Sequence, residues 1–248
     1  MTRPSTTITP DDAPIQSHRQ SAGVSGWLSK IIYPLGQYIV LPGYFREIEI
    51  IGKQYIPHTG AVILAPTHRA RWDAILIPYV FGPYVTGRDL RFMVSIDEMK
   101  GIQGWFARRL GGFAIDTNKP GISSIRNSVE LLHNGEMLTI FPEGNIFRDG
   151  TLHPLKKGLA RIAMQAESLQ PGLGLKVIPV NLNYDSEPKL RGSLFQWLRR
   201  DRVSIQIGEP LNVKTYQQFS NKIGAEKLHQ DLTHSLEDLM QQSLQKST

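Results

Sequence analysis

Two uniformly apolar runs constrain the fold of this chain more than any other feature. The stretches AVILAP (61–66) and MLTIFP (137–142) lack the polar alternation of a strand that has one face in water. Runs of this kind are typical of strands that are covered on both faces. Such a sheet needs helices on both sides, so the two runs indicate an α/β architecture.

Further β-rich runs alternate with helical stretches, which predicts a mixed, largely parallel sheet covered by helices. No linker interrupts residues 46–248, which we interpret as one domain. The last helix is amphipathic, and the sequence leaves open whether it packs on the domain, on a partner or on a bilayer. The predicted strands are 46–52, 61–66, 91–96, 112–116, 137–142, 176–184 and 203–208, and the predicted helices are 73–81, 97–110, 121–134, 156–169, 189–199 and 214–245.

The N-terminal region divides into two parts. Residues 1–25 are rich in Ser, Thr, Pro, Gln and Asp, which predicts a disordered tail. Residues 26–45 carry apolar side chains at helical spacing, interrupted by Pro34 and Gly36, which indicates an amphipathic helical extension with a kink. Two interpretations fit this segment: a helix packed on the core, or an interfacial element that places an apolar face among lipid headgroups.

Composition and charge narrow the class of protein. The 248 residues are 40% hydrophobic and carry a formal net charge of +6. This charge suits an anionic partner, and the absence of a nucleic-acid-binding motif favours a membrane surface or a phosphate-bearing substrate. The absence of cysteine excludes disulfides, thiolate zinc sites and a cysteine nucleophile. No apolar run reaches the roughly 18 residues of a membrane span, and the N-terminus does not resemble a secretory signal.

Two polar loops follow the two apolar strands. PTHRARWD comes after AVILA, and FPEGNIFRDG comes after MLTI. Ligand sites in α/β sheets gather at the carboxyl ends of the strands. We therefore expect the two loops to lie close together at one edge of the sheet.

His68 and Asp73, in the first loop, are a candidate base and its orienting partner. A neutral imidazole accepts a proton from a hydroxyl near neutral pH, and a carboxylate on its other nitrogen fixes the tautomer. On a continuous helix this spacing places the two side chains on different faces, so their contact requires the helix to begin near Asp73. The alternative interpretation is a capping aspartate beside an exposed histidine.

The second loop carries a carboxylate and several cations. Pro-Glu-Gly at a strand end turns the chain sharply, and Gly144 allows backbone geometry that other residues resist. We expect Glu143 to point into the cleft, as an acceptor for substrate hydroxyls or as the partner of a cation. Arg148 and Lys156 could hold a phosphate. The alternative interpretation is a turn with a salt bridge.

Other catalytic patterns are missing from the sequence. It contains no G-x-S-x-G elbow, Walker loop or G-x-G-x-x-G, and its seven histidines lack the spacing of metal ligands. A base without an enzyme nucleophile favours direct transfer, in which a substrate hydroxyl attacks an acyl carbon.

Four blocks, in their order along the chain, resemble those of the glycerolipid acyltransferase family, whose best-known members make phosphatidate from lysophosphatidate. PTHRARWD resembles the HxxxxD motif, and FPEGN resembles F-P-E-G-T-R-S. Between them GGFAIDTNK is similar to G-x-x-F-I-D-R, and KVIPVNLNY resembles the final apolar block. The blocks extend over about residues 61–184, most of the predicted domain.

The resemblance implies acyl transfer from acyl-CoA or acyl-carrier protein to a hydroxyl of a lysoglycerolipid or related lipid alcohol. His68 would be the general base and Asp73 its orienting partner. No cofactor or metal would be required, because the acyl carrier is a substrate. The residues expected to bind substrate are Phe113, Asp116, Lys119, Phe141, Pro142, Glu143, Gly144, Arg148 and Lys156.

Two blocks depart from the family pattern. The arginine after the aspartate of the second block is Thr117 here, and Thr-Arg-Ser after FPEG is replaced by residues 145–147, Asn-Ile-Phe. The missing cations are those expected to grip the acceptor phosphate, and charge-assisted bonds are worth roughly 1.5–3 kcal/mol each. This difference predicts an acceptor other than lysophosphatidate.

A lipid substrate without a membrane span predicts peripheral attachment to the cytoplasmic face of a membrane through residues 26–45. Two rival functions remain open. One is a lipid-binding protein on the same scaffold, whose second and third blocks have drifted. The other is a hydrolase that uses water as the acyl acceptor.

Overall fold

The computed structural model describes residues 24–116, 121–185 and 201–246. Most of the predicted tail, the candidate Lys119 and the predicted helix at 189–199 lie outside these residues. Within them, eight strands form one sheet, in the order β1-β7-β6-β2-β5-β3-β4 with β8 against β6. The strands are β1 Phe45–Ile51, β2 Val62–Pro66, β3 Leu90–Ser95, β4 Gly112–Ile115, β5 Met137–Thr139, β6 Lys176–Tyr184, β7 Asp201–Ile207 and β8 Leu211–Asn212.

The sheet is mixed and largely parallel, as predicted. Strand β6 runs antiparallel to β7 and β8, and the other neighbouring pairs are parallel. Strands β2 to β6 therefore all end at the same edge, which we call the carboxyl edge. The β1 strand begins at that edge, since it runs parallel to β7.

Strand β2 is buried on both faces, which explains its uniformly apolar sequence. Val62 and Leu64 belong to the core on one side of the sheet, whereas Ile63 and Ala65 belong to the core on the other. Burying a side chain the size of valine or leucine stabilises the fold by roughly 1.5–3 kcal/mol. Each position of the strand thus adds to one of the two cores.

Helices cover both faces. Helices α6, α7 and α8 pack on one face, and α3 packs on the other together with the N-terminal segment. Helix α8 buries Leu228, Leu232 and Leu236 in the first core, so the C-terminal stretch packs on its own domain. The helices are α1 Gly26–Leu35, α2 Leu41–Tyr44, α3 Asp73–Phe81, α4 Pro83–Thr86, α5 Gly101–Arg109, α6 Ile122–His133, α7 Gly158–Leu169 and α8 Asn221–Lys246, with short 3₁₀ turns at Lys53–Tyr55, Ile96–Met99 and Val213–Gln218.

Strand β5 is shorter than predicted. It ends at Thr139 rather than at residue 142, because Pro142 has no N–H to donate and the chain turns. The backbone N–H of Gly144 donates to the Phe141 carbonyl oxygen at 3.1 Å and closes that turn. The early end of the strand brings the FPEG residues onto the carboxyl edge as a loop.

The N-terminal segment is helical and interrupted where the sequence predicted. Pro34 lies inside α1, and a π-helical turn at Gly36–Val40 connects α1 to α2. Leu28 and Leu41 are buried against the domain, whereas Trp27 and Tyr38 are 60% and 65% exposed. The segment therefore packs on the core with one face and leaves the other uncovered by described residues. No helix among the described residues combines the length and apolarity needed to cross a bilayer.

Candidate active site

The loop after β2 brings His68 and Asp73 into contact. The chain leaves the strand at Pro66, and α3 begins at Asp73, so the two residues do not share a continuous helix. The Nδ1 atom of His68 lies 2.8 Å from an Asp73 carboxylate oxygen. The contact between His68 and Asp73 that general-base catalysis needs is therefore present. The alternative interpretation, a capping aspartate beside an exposed histidine, does not account for this contact.

The Asp73 carboxylate is buried and surrounded by donors. The Oδ2 atom that contacts His68 also accepts from the backbone N–H groups of Arg69 at 2.7 Å and Ala70 at 2.9 Å. The Tyr184 hydroxyl donates to the other oxygen, Oδ1. Burial first, and then the Asp73 charge, raise the pKa of Tyr184, which keeps this hydroxyl protonated as a donor. These donors and the positive end of α3 favour an ionised Asp73.

The orientation of His68 is fixed on two sides. An ionised Asp73 makes Nδ1 the protonated ring nitrogen, which leaves Nε2 as an acceptor. The imidazole stacks on the Phe141 ring, with centroids 4.0 Å apart and 23° between the planes. Among the described residues Nε2 has no hydrogen-bond partner, and the side chain is 18% exposed. The arrangement can accept one proton from a hydroxyl that approaches from the open side.

The Glu143 carboxylate does not point into the cleft, and that prediction is wrong. The side chain is fully buried and accepts hydrogen bonds from the His68 backbone N–H at 2.9 Å and the His153 backbone N–H at 3.1 Å. The Arg69 guanidinium donates to it at 3.0 Å. Glu143 is therefore the partner of a buried cation, the second of the two roles that its sequence allowed. It joins the two loops at the carboxyl edge.

Backbone contacts complete the connection between the loops. The Phe147 N–H donates to the His68 carbonyl oxygen at 2.9 Å, and Arg69 Nη1 donates to the Phe147 carbonyl oxygen at 3.2 Å.

Gly144 has a φ of +70°, and a Cβ there would lie 2.6 Å from Lys156 Cε. The Lys156 side chain thus crosses directly over Gly144, a packing that only glycine permits without rearrangement.

A second histidine lies beside this loop. The His153 ring stacks on Phe147 with centroids 3.7 Å apart, and its Nε2 lies 2.6 Å from Asp149 Oδ2. The hydrogen bond with His153, followed by the backbone N–H of Thr151, lowers the Asp149 pKa to about 2. The Asp149 side chain is exposed, in contrast to Asp73.

The second block lies farther from His68. Strands β5 and β3 separate β4 from β2, which places Asp116 roughly 14 Å along the edge at about 4.8 Å per strand. Phe113 faces inward from β4 and belongs to the core, and its contact with substrate stays a prediction. Its β4 neighbours at 112 and 114 are less buried because successive residues of a strand face opposite sides. Asp116 is exposed at the end of the strand.

A small pocket lies between the end of β6, α8 and residues of both loops. Its volume is about 150 Å³. Arg148, one of the predicted phosphate ligands, lines this pocket. The lining also includes Arg69, Asn181, Tyr184, Met240 and Ser243.

Sequence reasoning missed two residues of the site. Arg69 lies within PTHRARWD, yet nothing in that pattern shows that its guanidinium is buried against Glu143. Tyr184 ends the fourth block, and its contact with Asp73 depends on β6 lying beside β2, where Val180 is in register with Pro66. A prediction of strand order could have found Tyr184.

Comparisons with known proteins identify the family of this chain and support its fold. The acyltransferase family model matches residues 47–183, more than half of the chain. The 1-acyl-sn-glycerol-3-phosphate acyltransferase of Bacillus subtilis is 24% identical over 194 residues, covering 77% of this chain and 87% of that protein. The enzyme of the same name from Streptococcus pneumoniae is 25% identical over 162 residues, 64% of this chain and 53% of that protein.

A solved structure has the same fold. The crystal structure of the 1-acyl-sn-glycerophosphate acyltransferase PlsC from Thermotoga maritima superposes with a TM-score of 0.56 and 22% sequence identity. The match covers 86% of this chain and 80% of that one. The matched family region includes both loops, from His68 to Lys156. This chain therefore belongs to the acyltransferase family.

Proposed function

We propose that this O-acyltransferase moves a fatty acyl group from a thioester donor, acyl-CoA or acyl-carrier protein, to a hydroxyl of a lysoglycerolipid. One observation carries the proposal. The Nδ1 atom of His68 is held 2.8 Å from the buried Asp73 carboxylate, while Nε2 has no hydrogen-bond partner among the described residues and the side chain is 18% exposed. That arrangement is suited to general-base catalysis.

The proposed reaction proceeds by direct attack. Nε2 of His68 takes the proton of the acceptor hydroxyl as its oxygen bonds to the thioester carbonyl carbon. The carbon–sulfur bond then breaks, and the imidazolium returns the proton to the departing thiolate. Asp73 stabilises the imidazolium while the charge exists. The acyl donor is consumed as a substrate, and the proposed reaction uses no further cofactor.

The second part of the proposal concerns the headgroup of the acceptor lipid. The names of the two bacterial relatives make 1-acylglycerol-3-phosphate the first acceptor to test. Arg148 and Lys156 are the cations of the second loop, and Lys156 crosses Gly144 within the FPEG turn. Residues 145–147 provide no cation, in contrast to the Thr-Arg-Ser of the family pattern. An acceptor other than lysophosphatidate stays a prediction, and the form of it that we propose is that this difference relaxes selectivity for a phosphate headgroup.

We also propose peripheral attachment to the cytoplasmic face of a membrane through residues 26–45. Trp27, Ile31, Leu35, Tyr38 and Ile39 are each at least 40% exposed and recur at helical spacing. An apolar row on an uncovered face suits burial at the level of lipid headgroups. Deleting the segment should abolish flotation with anionic vesicles, and undiminished flotation would refute the assignment.

Labelled acyl-CoA and a panel of lysolipids test the activity. Wild-type protein should form a labelled diacyl lipid, and His68→Ala should lower the rate by roughly 10²–10⁴-fold, as for loss of a general base. His234→Ala is the matched control, because it removes a surface histidine that lies 3.5 Å from a carboxylate oxygen of Asp238. His153→Ala tests the neighbouring histidine and should retain most activity.

The products of that assay separate the rival functions. Free fatty acid without acylated lipid would identify a hydrolase. No His68-dependent turnover on any acceptor would leave lipid binding as the function. Strong selectivity for lysophosphatidate over lysolipids without a terminal phosphate would contradict the proposed relaxation of headgroup selectivity while leaving the acyl transfer itself supported.

A further inference from the structure

Helix α5 exposes a row of large apolar side chains. Ile102, Trp105 and Phe106 recur at intervals of three and four residues, which places them on one helical face. They are 79%, 40% and 38% exposed, and Ile96, in the turn before the helix, is 52% exposed. No element within the described part of the chain covers this row.

A cation accompanies the row. The Arg109 guanidinium carbon lies 4.3 Å from the centroid of the Trp105 ring, so the charge sits over the aromatic face. Among the described residues Arg109 forms no ion pair with a carboxylate. Tryptophan with an adjacent arginine is typical of the boundary between lipid headgroups and acyl chains, since the ring is amphipathic and the cation attracts phosphate.

Helix α5 and the turn before it form hydrogen bonds with both the N-terminal segment and the His68 loop. At its end, the Arg109 carbonyl oxygen accepts from the Ser25 backbone N–H at 2.8 Å, immediately before α1. At its start, Arg71 of the His68 loop donates to the side chain of Gln103 at 3.3 Å and to that of Glu98 at 3.4 Å. The exposed row thus begins beside Arg71 of the His68 loop and ends beside Ser25, the residue before α1.

We propose that α5 is a second membrane-contacting element, which inserts Ile102, Trp105 and Phe106 into the interface of an anionic bilayer. This inference rests on the proposed function, because a lipid acceptor is what requires the site to face a bilayer. The contact extends the surface of residues 26–45 to the His68 loop, so the acceptor reaches the base while its acyl chain remains in the membrane.

Charge favours a bilayer over a second copy of the chain on this row. A symmetric pairing of two α5 helices would bring the Arg109 charges of both copies to one interface. Anionic headgroups instead neutralise them, and the formal net charge of +6 attracts the whole protein to such a surface.

The absence of cysteine allows a direct test, because one introduced thiol is a unique labelling site. We would label Ile102→Cys, Tyr38→Cys and Leu169→Cys in the full chain with an environment-sensitive fluorophore. Tyr38 reports on the N-terminal segment. Leu169 is the matched control: it is 64% exposed at the end of α7, which leads to the start of β6 at the opposite edge of the sheet.

Vesicles of phosphatidylcholine and phosphatidylglycerol should shift the emission to the blue at positions 102 and 38, with no shift at 169. A shift at 38 without one at 102 would overturn this inference and leave the proposed attachment intact. No shift at any position would refute both. A shift at all three would indicate unspecific adsorption, and a concentration-dependent shift at 102 without vesicles would indicate self-association; each overturns the inference.

A substitution provides a second readout. Ile102→Glu should weaken partition into these vesicles by roughly tenfold, since a charge replaces an apolar side chain at the interface. Leu169→Glu should leave partition unchanged. Acyl transfer to a lysolipid dispersed in detergent should survive Ile102→Glu, which separates membrane contact from the proposed chemistry. Equal partition of the two variants would contradict the inference.

Discussion

Replacing Tyr184 with phenylalanine removes one of the hydrogen-bond donors to the Asp73 carboxylate. The Tyr184 hydroxyl donates to Oδ1, while His68 and two backbone N–H groups bind Oδ2. The ring of phenylalanine fills the same space against Phe45, whose centroid lies 6.1 Å from that of Tyr184. The substitution therefore removes a donor and preserves the packing.

The size of the effect follows from the hydrogen bond that is lost. A hydrogen bond to a charged group contributes about 1.5–3 kcal/mol. Asp73 retains its other donors, but with one donor fewer its charge binds a protonated imidazole more tightly. We expect kcat/KM at neutral pH to fall by about tenfold, less than the 10²–10⁴-fold expected for loss of the base itself. The acid limb of the profile of kcat/KM against pH should move to higher pH.

The assay is acyl transfer measured between about pH 5 and pH 9, the range in which a histidine changes charge. Tyr216→Phe is the matched control, because the Tyr216 hydroxyl donates to Asp231 at 2.6 Å, and Asp231 belongs to α8. It should leave the pH profile unchanged. An unaltered profile of kcat/KM against pH in Tyr184→Phe, or an equal displacement in Tyr216→Phe, would exclude an effect of the Tyr184 hydroxyl on His68 through Asp73.

Three further predictions concern the second loop. Glu143→Ala leaves the Arg69 guanidinium buried without its carboxylate and should cost about 3–5 kcal/mol of unfolding free energy, measured with denaturant. Gly144→Ala forces an L-residue to a φ of +70° against Lys156 and should reduce both stability and turnover. Asp149 should titrate near pH 2 by NMR. Because folding lowers its pKa, the carboxyl contributes stability above about pH 3.8 that is lost as the pH falls towards 2.

Each of these predictions has a matched control. Glu226→Ala breaks an exposed pair with Lys157 and should leave the denaturation midpoint nearly unchanged; an equal loss in both variants would contradict the buried-charge argument. Gly150→Ala shares a positive φ, of +73°, with no atom near the added methyl, so a larger effect at 144 isolates the contact with Lys156. His153→Ala should raise the Asp149 pKa towards 3.8, and an unchanged value would exclude the imidazole as the cause.

The parts of the fold that depend on local sequence could be predicted. A uniformly apolar run located β2, and Pro66 followed by Asp73 indicated a strand, a turn and a new helix. The contact between His68 and Asp73 follows from that local path, because the two residues are only five positions apart. The same argument found the interruption at Pro34, where the missing N–H disturbs a helix.

Contacts between distant strands could not be predicted from local patterns. Tyr184 meets Asp73 across 111 positions, and the contact depends on which strand lies beside β2. Glu143 meets Arg69 across 74 positions, and nothing in FPEG distinguishes a carboxylate turned inward from one turned towards substrate. Phe113 was assigned to substrate by resemblance, although its inward position on β4 places it in the core. In each case the outcome depended on strand order or side-chain direction.

The proposed mechanism requires that Asp73 holds His68 with Nδ1 protonated and Nε2 available as the base. Nitrogen-15 chemical shifts of the imidazole, assigned by loss of the signal in His68→Ala, measure this at a pH at which the ring is neutral. We expect a protonated Nδ1 and an unprotonated Nε2, with the preference lost in Asp73→Ala. A ring with its proton on Nε2, or one unaffected by Asp73→Ala, would contradict it.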